Sequence, residues 1–284
     1  MRASGQVPQG QARHDFGEDV VPVFEGWEKN RDGSFNMIFG YLNRNYQEQP
    51  EIPIGPNNNF TPAPADQGQP THFYPRRQQF MFRVRVPADF GKKELVWTLI
   101  RDGRTEKAYA TLLPEEEISE VVVSQNRGGL ANDSVKARVN EPPTISVDGT
   151  PTRTIAAGQP LSLVVSAGDD GVPTPPARGR GQGTAVALSD GVPIVTTFDR
   201  PIAQAIVKPS REGLAVTWTH WRGPGRLTFD PMTSVVKNGK VATKVTFSQP
   251  GTYVIRAYAD DGVVTTPADV TVIVTGDAKT SGRQ

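Results

Sequence analysis

The chain has no cysteine and only three histidines among its 284 residues. The first absence excludes a disulfide framework and thiol chemistry, and it leaves the redox compartment open. His14, His72 and His220 are isolated in sequence, so no helix presents a zinc-binding pair and no Ser/His/Asp triad can be drawn. No apolar run reaches the length of about 18 residues that a membrane-spanning helix needs, and the mean hydropathy is -0.43. Charge of one sign is also missing: 31 basic against 30 acidic residues leave a net charge of +1. No global field therefore points to nucleic acid or an anionic membrane as partner.

The sequence is rich in turn formers, with 28 glycines and 25 prolines, as expected where many short strands are joined by tight connections. From Gly213 to Val274 period-2 apolar segments alternate with such turns, the pattern of strands that each bury one face. Tyr253, Ile255, Ala257 and Ala259 share one face of a strand, and Val254, Arg256 and Tyr258 share the other. One face is expected to be dry and the other wet. Asp260-Asp261-Gly262 then turns a tight hairpin, and Val263 opens a returning strand through Val270, Val272 and Val274. Trp218, in line with Leu214 and Val216, is expected to fill the space between two sheets.

The run TWTHWRGPGRLTF followed by ATKVTFSQPGTYVIRAYADDG resembles the polycystic kidney disease-type and REJ-type immunoglobulin-like domains of exported bacterial proteins. The resemblance covers roughly residues 142–275, including PPTISVDG and IAAGQPLSLVVSAGDDG at its start. It implies a sandwich pinned by a strand-C tryptophan, Trp218, and a corner tyrosine, Tyr253. Leu163 or Val165 and Ile255 stand where antibody domains place a disulfide, so the pin is expected to be hydrophobic. The chain departs from the family over residues 171–211, where about forty residues replace a short connection.

The N-terminal half, residues 20–124, reads as another β-sandwich and is weakly similar to modules of uncharacterised exported bacterial proteins. Phe35, Met37 and Phe39 alternate after an Asn30-Arg31-Asp32-Gly33 turn, residues 80–86 alternate strictly, and Asp102-Gly103 separates two further strands. The fold class is thus all-β, two consecutive antiparallel β-sandwich domains, the second immunoglobulin-like. Residues 1–19 and 276–284 read as flexible arms, and residues 125–141 as a Pro/Gly-punctuated linker that keeps the domains strung rather than collapsed together.

Three surface features are candidate sites. The Pro/Asn-rich loop 46–77 gathers His72, Phe73, Tyr74, Arg76 and Arg77 near its end. Either they form a recognition surface, or the aromatics anchor the loop while the arginines are solvated. Trp221 faces away from Trp218 and, beside Arg222, either stacks on a sugar or partner protein or is covered by the neighbouring domain. Asp169-Asp170-Gly171 and Asp260-Asp261-Gly262 end two strands expected to be neighbours, so Asp169, Asp170, Asp260 and Asp261 either hold calcium or serve turn chemistry.

Shorter signals carry less. Ser234-Val-Val-Lys237 matches a penicillin-binding pattern without its partner motifs, and residues 178–183 are basic and glycine-rich without the context of a phosphate loop. No cofactor other than possible calcium is expected. The resulting expectation is a non-catalytic, extracytoplasmic structural or interaction protein, acting in assembly or adhesion through sandwich edges and loops. Its partners would be other proteins of a surface assembly, with a glycan as the alternative. A carbohydrate-binding accessory module would expose Trp221 or Tyr74, whereas a carboxylate hydrolase would place Asp169 and Asp260 in a cleft. No secretory h-region is visible near Met1, so the expectation of export rests on the resemblance and on a leader removed or lost.

Overall fold

The computed structural model describes residues 14–128, 139–172 and 205–276. The glycine-rich segment 178–183 and most of the arms, the linker and the 171–211 departure lie outside these residues. Among the described residues fifteen strands, one 3-10 turn and one short helix occur, so the chain is all-β.

The first unit contains β1 (Val20–Lys29), β2 (Phe35–Asn43), β3 (Asn58–Thr61), β4 (Arg76–Val86), β5 (Leu95–Arg101) and β6 (Arg104–Ala110). They form two antiparallel sheets, β1-β2-β4 and β3-β5-β6. The period-2 pattern decides which side chains meet between the sheets: Met37, Phe39, Phe82, Val84, Trp97 and Leu99 are all buried in one cluster. Phe60 and Trp97 stack with centroids 5.8 Å apart and Phe39 meets Trp97 edge-on at 6.0 Å, contacts that add roughly 0.5–1.5 kcal/mol per pair beyond area burial. The other face of β2 and β4 is also covered. Ile38 and Phe80 pack with Val123 and Ile118, bringing in α1 (Glu120–Arg127).

The second unit contains β7 (Thr144–Val147), β8 (Thr152–Ala156), β9 (Leu161–Gly168), β10 (Ala215–Arg222), β11 (Leu227–Asp230), β12 (Thr233–Val235), β13 (Lys240–Phe247), β14 (Gly251–Asp260) and β15 (Thr265–Thr275). One sheet runs β12-β10-β14-β15-β8 and the other β11-β13-β9-β7. All pairings are antiparallel except β8 with β15. This is an immunoglobulin-like sandwich, with β9, β10, β14 and β15 in the places of strands B, C, F and G. Trp218 and Tyr253 are both fully buried between the sheets, with Leu163, Val165 and Ile255 beside them. The Tyr253 hydroxyl donates to the Gln249 carbonyl at 2.6 Å, the local bond that defines a tyrosine corner.

Three expectations are corrected here. The face of β14 bearing Val254, Arg256 and Tyr258 is not wet: Arg256 and Tyr258 are buried, because the first unit covers it. Tyr258 belongs to the first unit's core, and its hydroxyl donates to the Met81 carbonyl at 2.8 Å. The units are consequently packed together rather than strung. The third concerns the hairpin after β14, which is wider than a tight turn, since Asp260 pairs with Thr265. Val263 and Val264 stay in the loop, buried against Val121 at α1.

Candidate functional site

The loop between β2 and β4 is held in place by buried amides. Asn58 donates to the carbonyls of Ile52 and Pro70 at 2.9 and 2.8 Å, and its own oxygen accepts from Trp97 Nε1 at 3.0 Å. Asn43 donates to Phe73 and Glu48 carbonyls. The bonds donated by the two amides satisfy carbonyls that irregular backbone would leave unpaired in the interior. The two arms of the loop meet at an isolated antiparallel bridge between Glu51 and His72, flanked by Ile52 N–H to Thr71 O at 2.8 Å and Phe73 N–H to Pro50 O at 3.0 Å.

The loop then meets the end of β10. Pairing with β14 slips between His220 and Arg222, a bulge that leaves Trp221 outside the β10–β14 ladder and frees its carbonyl. Thr71 N–H donates to that carbonyl at 3.0 Å, and the Tyr74 hydroxyl accepts from His220 N–H at 2.8 Å. Trp221 Nε1 donates to Gly68 O at 3.0 Å, and Arg222 grips Asp66 through two bonds of 2.9 and 2.6 Å. Trp221 is thus buried, covered by the neighbouring domain rather than offered to a sugar or partner.

The remaining sequence candidates divide. Phe73 is fully buried and meets Tyr41 edge-on at 5.0 Å, so it anchors the loop. Arg77 is half-buried and its Nη2 donates to both Glu25 carboxylate oxygens at 2.7 Å; burial pushes the Glu25 carboxyl up, and the Arg77 charge and hydrogen bond oppose that rise. Arg76 lies with its guanidinium carbon 4.1 Å from the Tyr46 ring centroid. A five-residue recognition surface is therefore not what the loop presents.

The four aspartates do not converge either. Asp260 is ion-paired with Arg127 of α1, and both are buried. Asp261 accepts the N–H groups of Val263 and Val264 at 2.7 and 2.9 Å and the Asn140 amide at 3.0 Å. Asp169 and Asp170 are exposed and accept from the backbone two residues on, at 3.0 and 2.8 Å. Each carboxylate serves its own turn, and among the described residues the four are not a group that could share one ion.

The residues that do converge are Glu51, His72 and His220, whose ligand atoms all lie within 4.8 Å of one another. They sit in a cleft of about 1000 Å³ between the units, with Tyr74, Arg76 and Gln49 among its walls. The His72 and His220 rings stack at 4.2 Å and 25°. His72 Nε2 lies 2.9 Å from Gln49 Oε1, and its Nδ1 is in direct contact with a Glu51 carboxyl oxygen. His220 Nδ1 lies 3.9 Å from the same oxygen, and neither of its ring nitrogens has a hydrogen-bond partner although the residue is 2 % exposed.

Burial sets the electrostatics by disfavouring the charged forms. It pushes His72 down to about 4, and with the His72 ring's added influence it brings His220 down to about 3. Burial likewise pushes the Glu51 carboxyl up to about 9, although 29 % of its side-chain area still faces the cleft. The result is two neutral imidazoles and a carboxyl that no arginine or lysine compensates.

Sequence reading treated the histidines as isolated because His72 and His220 come from different units. The residues meet only once the units dock, and no local sequence pattern reports that docking.

No family model and no curated protein matches the chain, so the likeness to polycystic kidney disease-type domains stands as a resemblance. Solved structures similar to it include S-layer protein SbsC domains 4 and 5, at 12% identity over 65% of this chain and 66% of that one, with a TM-score of 0.26. Fibronectin(III)-like modules of Clostridium thermocellum CbhA match at 12% identity over 94% and 99%, TM-score 0.24. The D0-D1 domain of intimin matches at 12% over 90% and 100%, TM-score 0.25. The sandwich assignment rests on the sheets described above, and none of these overlaps bears on what the chain does.

Proposed function

We propose that this chain is a non-catalytic structural element of an extracytoplasmic assembly, two sandwiches locked into one stiff body that presents its loops and edge strands to other proteins. The observation that carries this reading is the interlock itself. Trp221, Arg256 and Tyr258 of the second unit are buried against the first, and the loop 66–74 bonds along the end of β10. A hinged binding pair would leave such a face wet, whereas a spacer or assembly subunit gains from fixed geometry. The polycystic kidney disease-type resemblance of the second unit agrees with a surface or adhesion setting. The strands that edge its sheets, β7, β8, β11 and β12, run three to five residues, short enough to limit indiscriminate pairing while leaving loops free for a specific partner.

The test is fractionation of the native host with an antibody to the chain, followed by sizing of the complex that contains it. The reading predicts an extracytoplasmic or surface fraction and a mass well above that of the 30.8 kDa chain. Recovery as a free cytoplasmic monomer would overturn it.

A further inference from the structure

We propose that Glu51, His72 and His220 form a binding site for a divalent transition-metal ion, with zinc the best fit, that fastens the two sandwiches together at the floor of the cleft. The donor set is two imidazole nitrogens and one carboxylate oxygen, with the cleft side open for water or a further ligand, a combination suited to zinc. All three donor atoms already lie within 4.8 Å of one another, and a tetrahedral zinc with bonds of about 2.0–2.1 Å needs donors roughly 3.3 Å apart. The adjustment is small. The two rings turn out of their stack and His72 yields its direct contact with Glu51, movements for which the cleft provides room.

Two features point to a cation rather than to a structural histidine pair. The first is the tautomer of His72. With Gln49 Oε1 as acceptor at 2.9 Å, Nε2 carries the proton, and the Nδ1 lone pair then faces a Glu51 oxygen. In the metal-free protein the Glu51 carboxyl proton fills that contact and is what a metal would displace, while the Gln49 oxygen on the remote imidazole nitrogen acts as the outer acceptor that orients a ligating histidine. The second is His220. A neutral imidazole has one donor and one acceptor, and here neither buried ring nitrogen makes a well-formed hydrogen bond, the backbone of Arg222 and Gly223 offering only poorly aligned contacts, so a metal bond to one nitrogen would satisfy it. Because Glu51 and His72 belong to the first unit and His220 to β10 of the second, the ion would bridge the interface. This inference stands apart from the proposed biological role, since an ion could fasten the units whatever the assembly does.

The experiment uses the tag-free full chain, stripped with chelator and titrated with zinc chloride by calorimetry, with thermal unfolding followed in parallel. One equivalent binds, Tm rises with the logarithm of free zinc, and cobalt(II) gives visible bands of a site with nitrogen ligands. His220→Gln and Glu51→Gln abolish stoichiometric binding, while His14→Gln, at a histidine outside the cluster, leaves it intact. Gln49→Ala keeps every ligand and weakens affinity by about 10–100-fold, so it reads out the site even if His220→Gln fails to fold. Sub-stoichiometric binding by the wild-type chain, or binding unchanged in both Glu51→Gln and Gln49→Ala, overturns the proposal.

Discussion

The guanidinium carbon of Arg256 lies 3.8 Å from the centroid of the Trp221 ring, and Asp269 holds that guanidinium with two bonds of 2.7 Å. Trp221 is thereby fixed on one side by its own sandwich and on the other by Phe82 of the first, 6.0 Å away edge-on. A buried indole with a cation over its face and an aromatic edge against it is the arrangement that makes tryptophan dominate interfaces.

Trp221→Ala is expected to destabilise the chain by about 3–5 kcal/mol, the range for emptying a buried aromatic site, and to weaken the coupling between the units. Wild-type chain should unfold in urea as one transition with coincident fluorescence and circular dichroism. The variant should give two transitions or non-coincident probes. Retention of a single coincident transition at unchanged midpoint would show that the interface contributes little.

Asp260 was a calcium candidate by sequence, yet it is buried against Arg127 and also accepts the Gly262 N–H at 2.7 Å. Asp260→Ala leaves the Arg127 guanidinium buried without its counter-charge, which costs about 3–5 kcal/mol. Calcium chelation should leave the wild-type Tm where it was. A calcium-dependent Tm that Asp260→Ala abolishes would restore the metal reading.

Tyr253→Phe removes a hydroxyl that donates to Gln249 O at 2.6 Å while preserving the ring between the sheets. The expected loss is about 1 kcal/mol, read as a lower denaturation midpoint with the slope unchanged. Tyr253→Ala should cost about 3–5 kcal/mol by emptying the same site, so the pair of variants separates the corner bond from the packing.

How much of this was legible depended on what alternation can report. Period 2 tells which side chains share a face, so Trp218, Tyr253, Ile255 and the alternation in β2 and β4 could be placed from sequence. It does not tell what covers the opposite face, so Arg256 and Tyr258 were expected to be wet and Trp221 was left between two outcomes. The loop 46–77 looked poor in material to bury, yet Ile52, Phe60 and Phe73 are all core residues. Its polarity was also misleading, because Asn58, like Asn43 at the end of β2, acts inside the protein as a substitute for backbone pairing. The cluster of Glu51, His72 and His220 required the docking of two units, a relationship with no local signature.

That cluster gives the stability curve a shape that can be worked out in sign. His72 and His220 have folded values of about 4 and 3 against 6.5 when unfolded, so below pH 6.5 the unfolded chain takes up protons first and stability falls with pH. Glu51 behaves oppositely. Its folded value of about 9 against 4.5 unfolded gives stability that is fully present below pH 4.5 and is lost as pH rises toward 9. Between 4.5 and 6.5 the unfolded state binds about one more proton than the folded state, two on the histidines against one on Glu51, and above 6.5 it binds about one fewer. The cluster's contribution should therefore peak near pH 6.5, in chelator-treated protein, with slopes of opposite sign on either side. Denaturation midpoints measured across pH for wild type and Glu51→Gln isolate the effect, since other groups cancel in the difference. The variant should lose the alkaline decline and keep the acid one. An alkaline limb identical in the two proteins would show that the Glu51 carboxyl does not keep its proton through this range, and would remove its part in the curve.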